Sequence, residues 1–266
     1  MSEEIIHFAH ANGFPAQTYN KLFSFLKNDF EINYLERHAH NPKFPVTDGW
    51  HRLADELREE LNNRYDKPII GVGHSLGGIL HFLVAAQNPE LYKALILLDA
   101  PIISRLSSAG IRFLKMTKRM KNSPLVKTTR FRRAVWKTKE EALNHFKKKE
   151  KFVKFDEDVL RDYIEYGTVK TDKGFELLFN PQVEAKIYGT LPHYLPKLRG
   201  KLKVPAFYIG GTNSREAKLA RLGFMQKHFP IKFQFIEGSH LFPLEKPEET
   251  AQAIIGFKIQ NSKFKI

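Results

Sequence analysis

A serine hydroxyl becomes an acyl-group nucleophile only where a base can take its proton, so its surroundings decide its chemistry. Ser75 lies in Gly73-His74-Ser75-Leu76-Gly77, after the apolar run Pro68 to Val72 and before the helix-forming stretch Gly78 to Ala86. Gly-x-Ser-x-Gly between a strand and a helix sets the serine on a sharp, strained turn. The small residues Gly73 and Gly77 are what such a turn requires. The Ser75 oxygen then stands at a helix N-terminus, where free N–H groups and the dipole favour an oxyanion. The N–H of Leu76, next in the chain, is expected to be one oxyanion donor.

The base must come from the eleven histidines. His240 is the strongest candidate. It follows the last strand-like run across Gly238-Ser239 and precedes Leu241-Phe242-Pro243 and a helix, a loop at the same sheet edge as Ser75. His74 neighbours the nucleophile and should point away from it. His81 sits inside the following helix and is expected to be packed, and His10 is expected to be structural. His38, His40 and His51 do not have a metal-ligand spacing, so no metal is expected.

An acid should orient the base. Asp99 ends the strand-like run after the nucleophile's, in Leu97-Leu98-Asp99-Ala100-Pro101. Adjacent strands are about 4.8 Å apart, which brings Asp99 near Ser75. The turn Gly210-Gly211-Thr212-Asn213-Ser214-Arg215 has an amide, Asn213, where a carboxylate would serve. Glu216 lies just beyond, and a first-turn helix position alone explains a carboxylate there. Asp99 is therefore preferred, with Glu216 as the alternative.

The elements that would position these residues are legible along the chain. Six strand-like runs, 5–9, 30–35, 68–72, 94–98, 205–209 and 232–236, are mostly apolar throughout, as in a parallel sheet covered on both faces. Helical patterns alternate with them: Trp50 to Arg64 with Asp48 as N-cap, Glu216 to Phe229, and Pro247 to Ile259. The order reads as a doubly wound α/β sheet. About a hundred residues between the fourth and fifth runs lack a convincing strand and far exceed an ordinary connection. The expected organisation is a core of residues 1–101 and 204–266 with a helical cap, 102–203, inserted.

The chain has 266 residues, 42% of them hydrophobic, enough for a sizeable core. It has no cysteine, which excludes disulfides, a thiol nucleophile and a cysteine-bound metal. The N-terminal residues Met1-Ser2-Glu3-Glu4-Ile5-Ile6 do not read as a signal peptide and no run is long enough to span a membrane, so a cytoplasmic location is expected. The net charge is +14, and residues 112–154 alone hold sixteen Lys/Arg against three Glu. Such a patch could meet an anionic ligand or a membrane surface. A solvated helical surface is the preferred reading, and without a nucleic-acid motif no nucleic-acid partner is expected.

His10-Ala11-Asn12-Gly13-Phe14-Pro15 after the first strand, Gly-His-Ser-Leu-Gly-Gly after the third and Gly238-Ser239-His240 after the last together resemble the α/β-hydrolase superfamily over nearly the whole chain. The resemblance implies an α/β-hydrolase fold shortened by the family's first two strands, with a cap at the usual place. It implies a serine hydrolase needing no cofactor. Aligning Gly13-Phe14-Pro15 with the family's His-Gly-x-Pro loop implies that the N–H of Phe14 is the second oxyanion donor. The chain is similar to a subgroup that carries its acid after the strand following the nucleophile, which supports Asp99. The implied activity is that of a carboxylesterase or thioesterase on a small acyl ester. Hydrolysis of a C–C bond or lactone is the enzymatic alternative. A non-catalytic binding protein is the alternative from another class. Epoxide hydrolase and dehalogenase chemistry is disfavoured, because those members use Asp where this chain has Ser75.

Overall fold

The structure is a computed structural model that describes residues 4–262; residues 1–3 of the N-terminal reading lie outside it. The chain opens with β1 (Glu4–Ala9), α1 (Asn20–Leu26) and β2 (Phe30–Tyr34), then α2 (His51–Arg64), β3 (Ile69–His74), α3 (Leu76–Ala85) and β4 (Tyr92–Leu98). The inserted segment holds α4 (Arg105–Met116), α5 (Pro124–Arg130), β5 (Val135–Trp136), α6 (Lys139–Lys147), α7 (Glu157–Gly167), β6 (Thr168–Thr171), β7 (Gly174–Leu177) and α8 (Pro181–Gly189). The chain then returns through β8 (Ala206–Gly211), α9 (Arg215–Ala220), α10 (Gly223–His228), β9 (Ile231–Ile236), α11 (Phe242–Glu245) and α12 (Pro247–Ser262).

Six strands form one parallel sheet in the order β2-β1-β3-β4-β8-β9. This is the α/β-hydrolase fold with the expected six-stranded sheet. The chain runs outward from β1 to β2 and then crosses back to β3. The order therefore reverses between β1 and β3, and a crevice opens at their carboxyl ends. All six residues of β3 are buried, which is why its run is apolar without alternation.

Side chains alternate between two packed layers. Ile6, Phe8, Ile70, Val72, Ile96 and Phe207 face α1 and α12, while Leu95, Leu97 and Tyr208 face the side covered by α2 and α3. The first layer continues without a break into the inserted segment through Trp136, Phe146, Phe152, Phe155 and Tyr163. The Phe152 ring is 4.9 Å from Phe146, 4.9 Å from Phe155 and 5.1 Å from Tyr163, and 6.0 Å from Phe14 of the core. Each such aromatic pair contributes about 0.5–1.5 kcal/mol beyond its buried area. The inserted segment thus shares one apolar cluster with the sheet.

Three sequence expectations are corrected. The insertion is not purely helical: β5, β7 and β6 form a small antiparallel sheet. Helix 216–229 is two helices, because Arg221 takes a left-handed conformation (φ 60°) between α9 and α10. Asp48 does not cap α2, since Trp50 precedes that helix at φ 61° and the Asp48 carboxylate pairs instead with Lys115 at 2.5 Å.

Candidate active site

Ser75 sits between β3 and α3 at φ 51° and ψ −111°, a backbone conformation that costs about 1–3 kcal/mol and is held by its surroundings. Its N–H donates to the Leu98 carbonyl at 2.9 Å, and the Gly77 N–H donates to the His10 carbonyl at 3.2 Å. The turn tolerates no larger neighbour. A Cβ on Gly77 would meet the Ala9 carbonyl oxygen at 2.0 Å, and one on Gly73 would meet the Gly77 carbonyl carbon at 2.4 Å.

His240 lies on the loop between β9 and α11. Its Nε2 is 2.9 Å from the Ser75 hydroxyl, and its Nδ1 is 2.5 Å from Asp99 Oδ2. An ionised carboxylate only accepts, so Nδ1 carries the proton and Nε2 is left to accept from Ser75. Asp99 is fully buried and takes φ 41° at the end of β4. Its other partners are the Tyr208 hydroxyl, donating to Oδ1 at 2.8 Å, and the Ser214 hydroxyl, donating to Oδ2 at 2.5 Å. The structure therefore brings Ser75, His240 and Asp99 into one chain of hydrogen bonds. Burial opposes a charge on His240. The hydrogen bond and charge of Asp99, helped by Glu216 and weakened by Lys151, outweigh that and hold its pKa above the ordinary 6.5.

Glu216 stands 3.9 Å from His240 Nδ1 and is half exposed, outside hydrogen-bond reach. Asp99, Glu216 and His240 are the one cluster of metal-ligand type among the described residues, and Asp99 and His240 are already bonded to each other. Asn213 is exposed, and its N–H donates to the Gly238 carbonyl. The next residue, Ser214, is the one that turns inward to Asp99.

His74 points away from Ser75, as its position in the strand requires. Its pKa is pushed down to about 3, chiefly by burial, so the ring stays neutral. Its Nε2 donates to the His240 carbonyl at 2.9 Å, which leaves Nδ1 to accept from the Tyr19 hydroxyl at 2.7 Å. That hydroxyl in turn accepts from the Ala11 N–H at 3.3 Å. One relay thus ties the loop after β1 to the loop that carries His240. Glu245 fixes the other side of the His240 loop, accepting from the Ser239 N–H at 2.9 Å and from its hydroxyl.

The loop after β1 closes differently from the expectation. The Phe14 N–H donates to the Ala11 carbonyl at 3.1 Å, closing a tight turn in which Gly13 takes φ 84°. That N–H is committed within the loop, while the Phe14 ring packs 5.5 Å from Tyr163. Asn12, one turn position earlier, is buried. Its Nδ2 donates to the Glu184 carbonyl at 3.1 Å, and its Oδ1 lacks a protein partner. At the elbow, the N–H groups of Ser75 and Gly77 are taken and Ile79 donates to Ser75, while Leu76 opens α3, where first-turn N–H groups have no helical acceptor.

Above this loop Glu184 of α8, 4% exposed, meets Arg132 at 2.5 Å. A Cβ on Gly13 would lie 2.8 Å from Glu184 Oε1. Burial raises the Glu184 pKa against the pull of Arg132. Sequence reading does not reach this pair, because 52 residues separate the two and neither sits in a motif. It also misses Tyr208 and Ser214. Ser214 could be found as the N-cap of α9, accepting from the Ala217 N–H, and Tyr208 as the polar member of an apolar strand beside Asp99.

The model of the alpha/beta hydrolase family matches residues 8–253. The search of curated proteins gave no match. Among solved structures, E-2-(acetamidomethylene)succinate hydrolase superposes with a TM-score of 0.77 at 17% identity, covering 96% of this chain and 91% of that one. The peroxisomal α/β-hydrolase of Saccharomyces cerevisiae gives 0.75 at 17% identity, covering 98% and 78%. An esterase from Thermogutta terrifontis gives 0.64 at 16%, covering 97% and 90%. The family match spans both the strand–turn–helix around Ser75 and the loop of His240, and on it the chain belongs to the α/β-hydrolase family.

Proposed function

We propose that the protein is a serine hydrolase that cleaves carboxylic esters or thioesters through an acyl-enzyme on Ser75. The observation that carries this reading is the unbroken sequence of hydrogen bonds from Ser75 Oγ through His240 to Asp99, at 2.9 and 2.5 Å. Ser75 Oγ bonds to the acyl carbon while its proton passes to His240 Nε2. Collapse of the tetrahedral intermediate breaks the bond to the leaving group, which takes that proton. Water, deprotonated by the same nitrogen, then releases the acid and restores Ser75. Asp99 keeps the imidazole in the productive tautomer and stabilises the imidazolium.

The Leu76 N–H at the start of α3 is one oxyanion donor. The second is assigned to the N–H of Asn12 or Gly13, because that of Phe14 is engaged within its turn and that of Ala11 donates to the Tyr19 hydroxyl. A lactone is an internal ester and needs nothing more from this machinery. A non-catalytic role would leave Asp99 unexplained, buried with three donors turned on it.

Hydrolysis of an activated aryl ester tests the reading. Ser75→Ala should lower kcat on the order of a million-fold with the fold intact. Substantial residual turnover in that variant would remove Ser75 from the mechanism.

A further inference from the structure

Helix α4 is amphipathic, and the side it turns inward is mostly polar: of its half-buried residues Ser107, Ser108, Ile111 and Lys115, all but Ile111 are polar. Ser107 Oγ donates to the Leu219 carbonyl at 3.3 Å, Ser108 Oγ donates to the His193 carbonyl, and Lys115 Nζ donates to the Leu191 carbonyl at 2.9 Å. None of its residues is buried. Leu106, Ala109, Phe113 and Met116 recur at helical spacing and form one outward stripe. Leu106 is 63% exposed, Phe113 56% and Met116 72%. Leu219 of α9, whose carbonyl holds Ser107, adds a side chain 66% exposed. A helix in water ordinarily turns such a stripe toward the core.

The chain segment that carries the stripe is equally one-sided in charge, and the acids near it come from other elements, Asp48 on Lys115 and Glu216 on α9. Residues 100–139 contain twelve Lys/Arg and no Asp or Glu. Lys115 and Arg132 pair with Asp48 and Glu184. Arg112, Lys118, Arg119, Lys121, Lys127 and Arg130 form no ion pair among the described residues. Two such faces from two copies of the chain would repel each other, so a second copy does not fit. Nucleic acid would satisfy the cations and leave the stripe in water. A surface that is anionic at its rim and apolar beneath satisfies both.

We propose that this face docks the protein on an anionic lipid bilayer, with α4 lying in the interface. The association is peripheral, since no helix among the described residues is long and apolar enough to cross a membrane. The docking face adjoins the site: α9 is capped by Ser214, which holds Asp99, and α4 follows Asp99 within six residues. Docking does not depend on Ser75, so its failure and failure of the hydrolytic reading are separable.

Co-sedimentation with phosphatidylcholine vesicles, with and without phosphatidylserine, tests the proposal. The full chain and its Ser75→Ala variant should bind the phosphatidylserine vesicles equally and release them at high salt. Arg112→Gln/Lys118→Gln/Lys121→Gln should weaken binding on the order of a hundredfold. Leu106→Ser/Phe113→Ser/Met116→Ser should weaken it by a similar factor, while an unchanged far-UV dichroism spectrum and a cooperative urea transition show that this variant is folded. No binding to phosphatidylserine vesicles would overturn the proposal. So would full binding by the apolar triple variant, tighter binding to duplex DNA that this variant retains, or a dimer that buries the stripe.

Discussion

His240 must be neutral to accept the Ser75 proton, yet Asp99 favours its charged form and holds its pKa above 6.5. The rate of ester hydrolysis should therefore rise with pH through a single step centred above 6.5. In Asp99→Asn that step should move downward, and kcat should fall roughly ten-thousand-fold, as in other serine triads. A pH–rate profile of both proteins checks the pair of effects. Asn213→Asp should not rescue Asp99→Asn, because the Asn213 side chain is exposed and Ser214 holds the inward position. Tyr19→Phe removes the middle of the relay between Ala11 and His74. It should lower kcat more than it raises KM, since Tyr19 is fully buried and the relay ties the loop after β1 to the loop of His240. At this scale Ser75, His240 and Asp99 are readable because each follows a strand of the same sheet. Tyr208, Ser214 and Arg132 are not, because their roles depend on which strand ends and helices become neighbours in three dimensions.

At the scale of elements, apolar runs identify the parallel strands because both faces of that sheet are covered. The β6–β7 hairpin escapes the same reading. Its strands are four residues each, Thr168–Thr171 and Gly174–Leu177, and only their ends are buried. The break at Arg221 escapes it too, since a non-glycine residue in the left-handed region has no compositional mark. The insertion shares its aromatic cluster with the sheet, so it should not unfold by itself. Phe146→Ala removes a buried ring and should cost about 3–5 kcal/mol. Urea denaturation followed by far-UV dichroism and by tryptophan emission should give one coincident transition, shifted in the variant. Separate transitions would mean that the insertion has its own stability.

Across the whole molecule, four fully buried histidines, His7, His10, His74 and His81, have pKa values lowered chiefly by burial. The unfolded chain protonates them near 6.5 and the folded one does not. Their contribution is therefore fully present above about pH 6.5 and is lost as pH falls toward about 3, where His74 and His81 would titrate in place. Each group can remove up to about 1.4 kcal/mol per pH unit in that window. His240 acts in the opposite sense, with stability lost as pH rises through its raised pKa, but it is one group against four. Urea midpoints should fall steeply between about pH 6.5 and 5 and change little between about pH 7 and 8. The uneven spread of the +14 net charge is plain in the sequence, whereas the outward turn of the apolar stripe on α4 is not. The stripe's spacing is the same whichever side faces the core, and only the hydrogen bonds of Ser107, Ser108 and Lys115 show that the polar side is held inward.

The central claim is that His240 makes Ser75 a nucleophile. Treatment with a fluorophosphonate, followed by peptide mapping in a mass spectrometer, tests it most directly. One phosphonyl group should be found on Ser75. It should be absent in Ser75→Ala and should form far more slowly in His240→Ala. An unmodified Ser75 in the folded protein, or labelling as fast without His240, would contradict the claim.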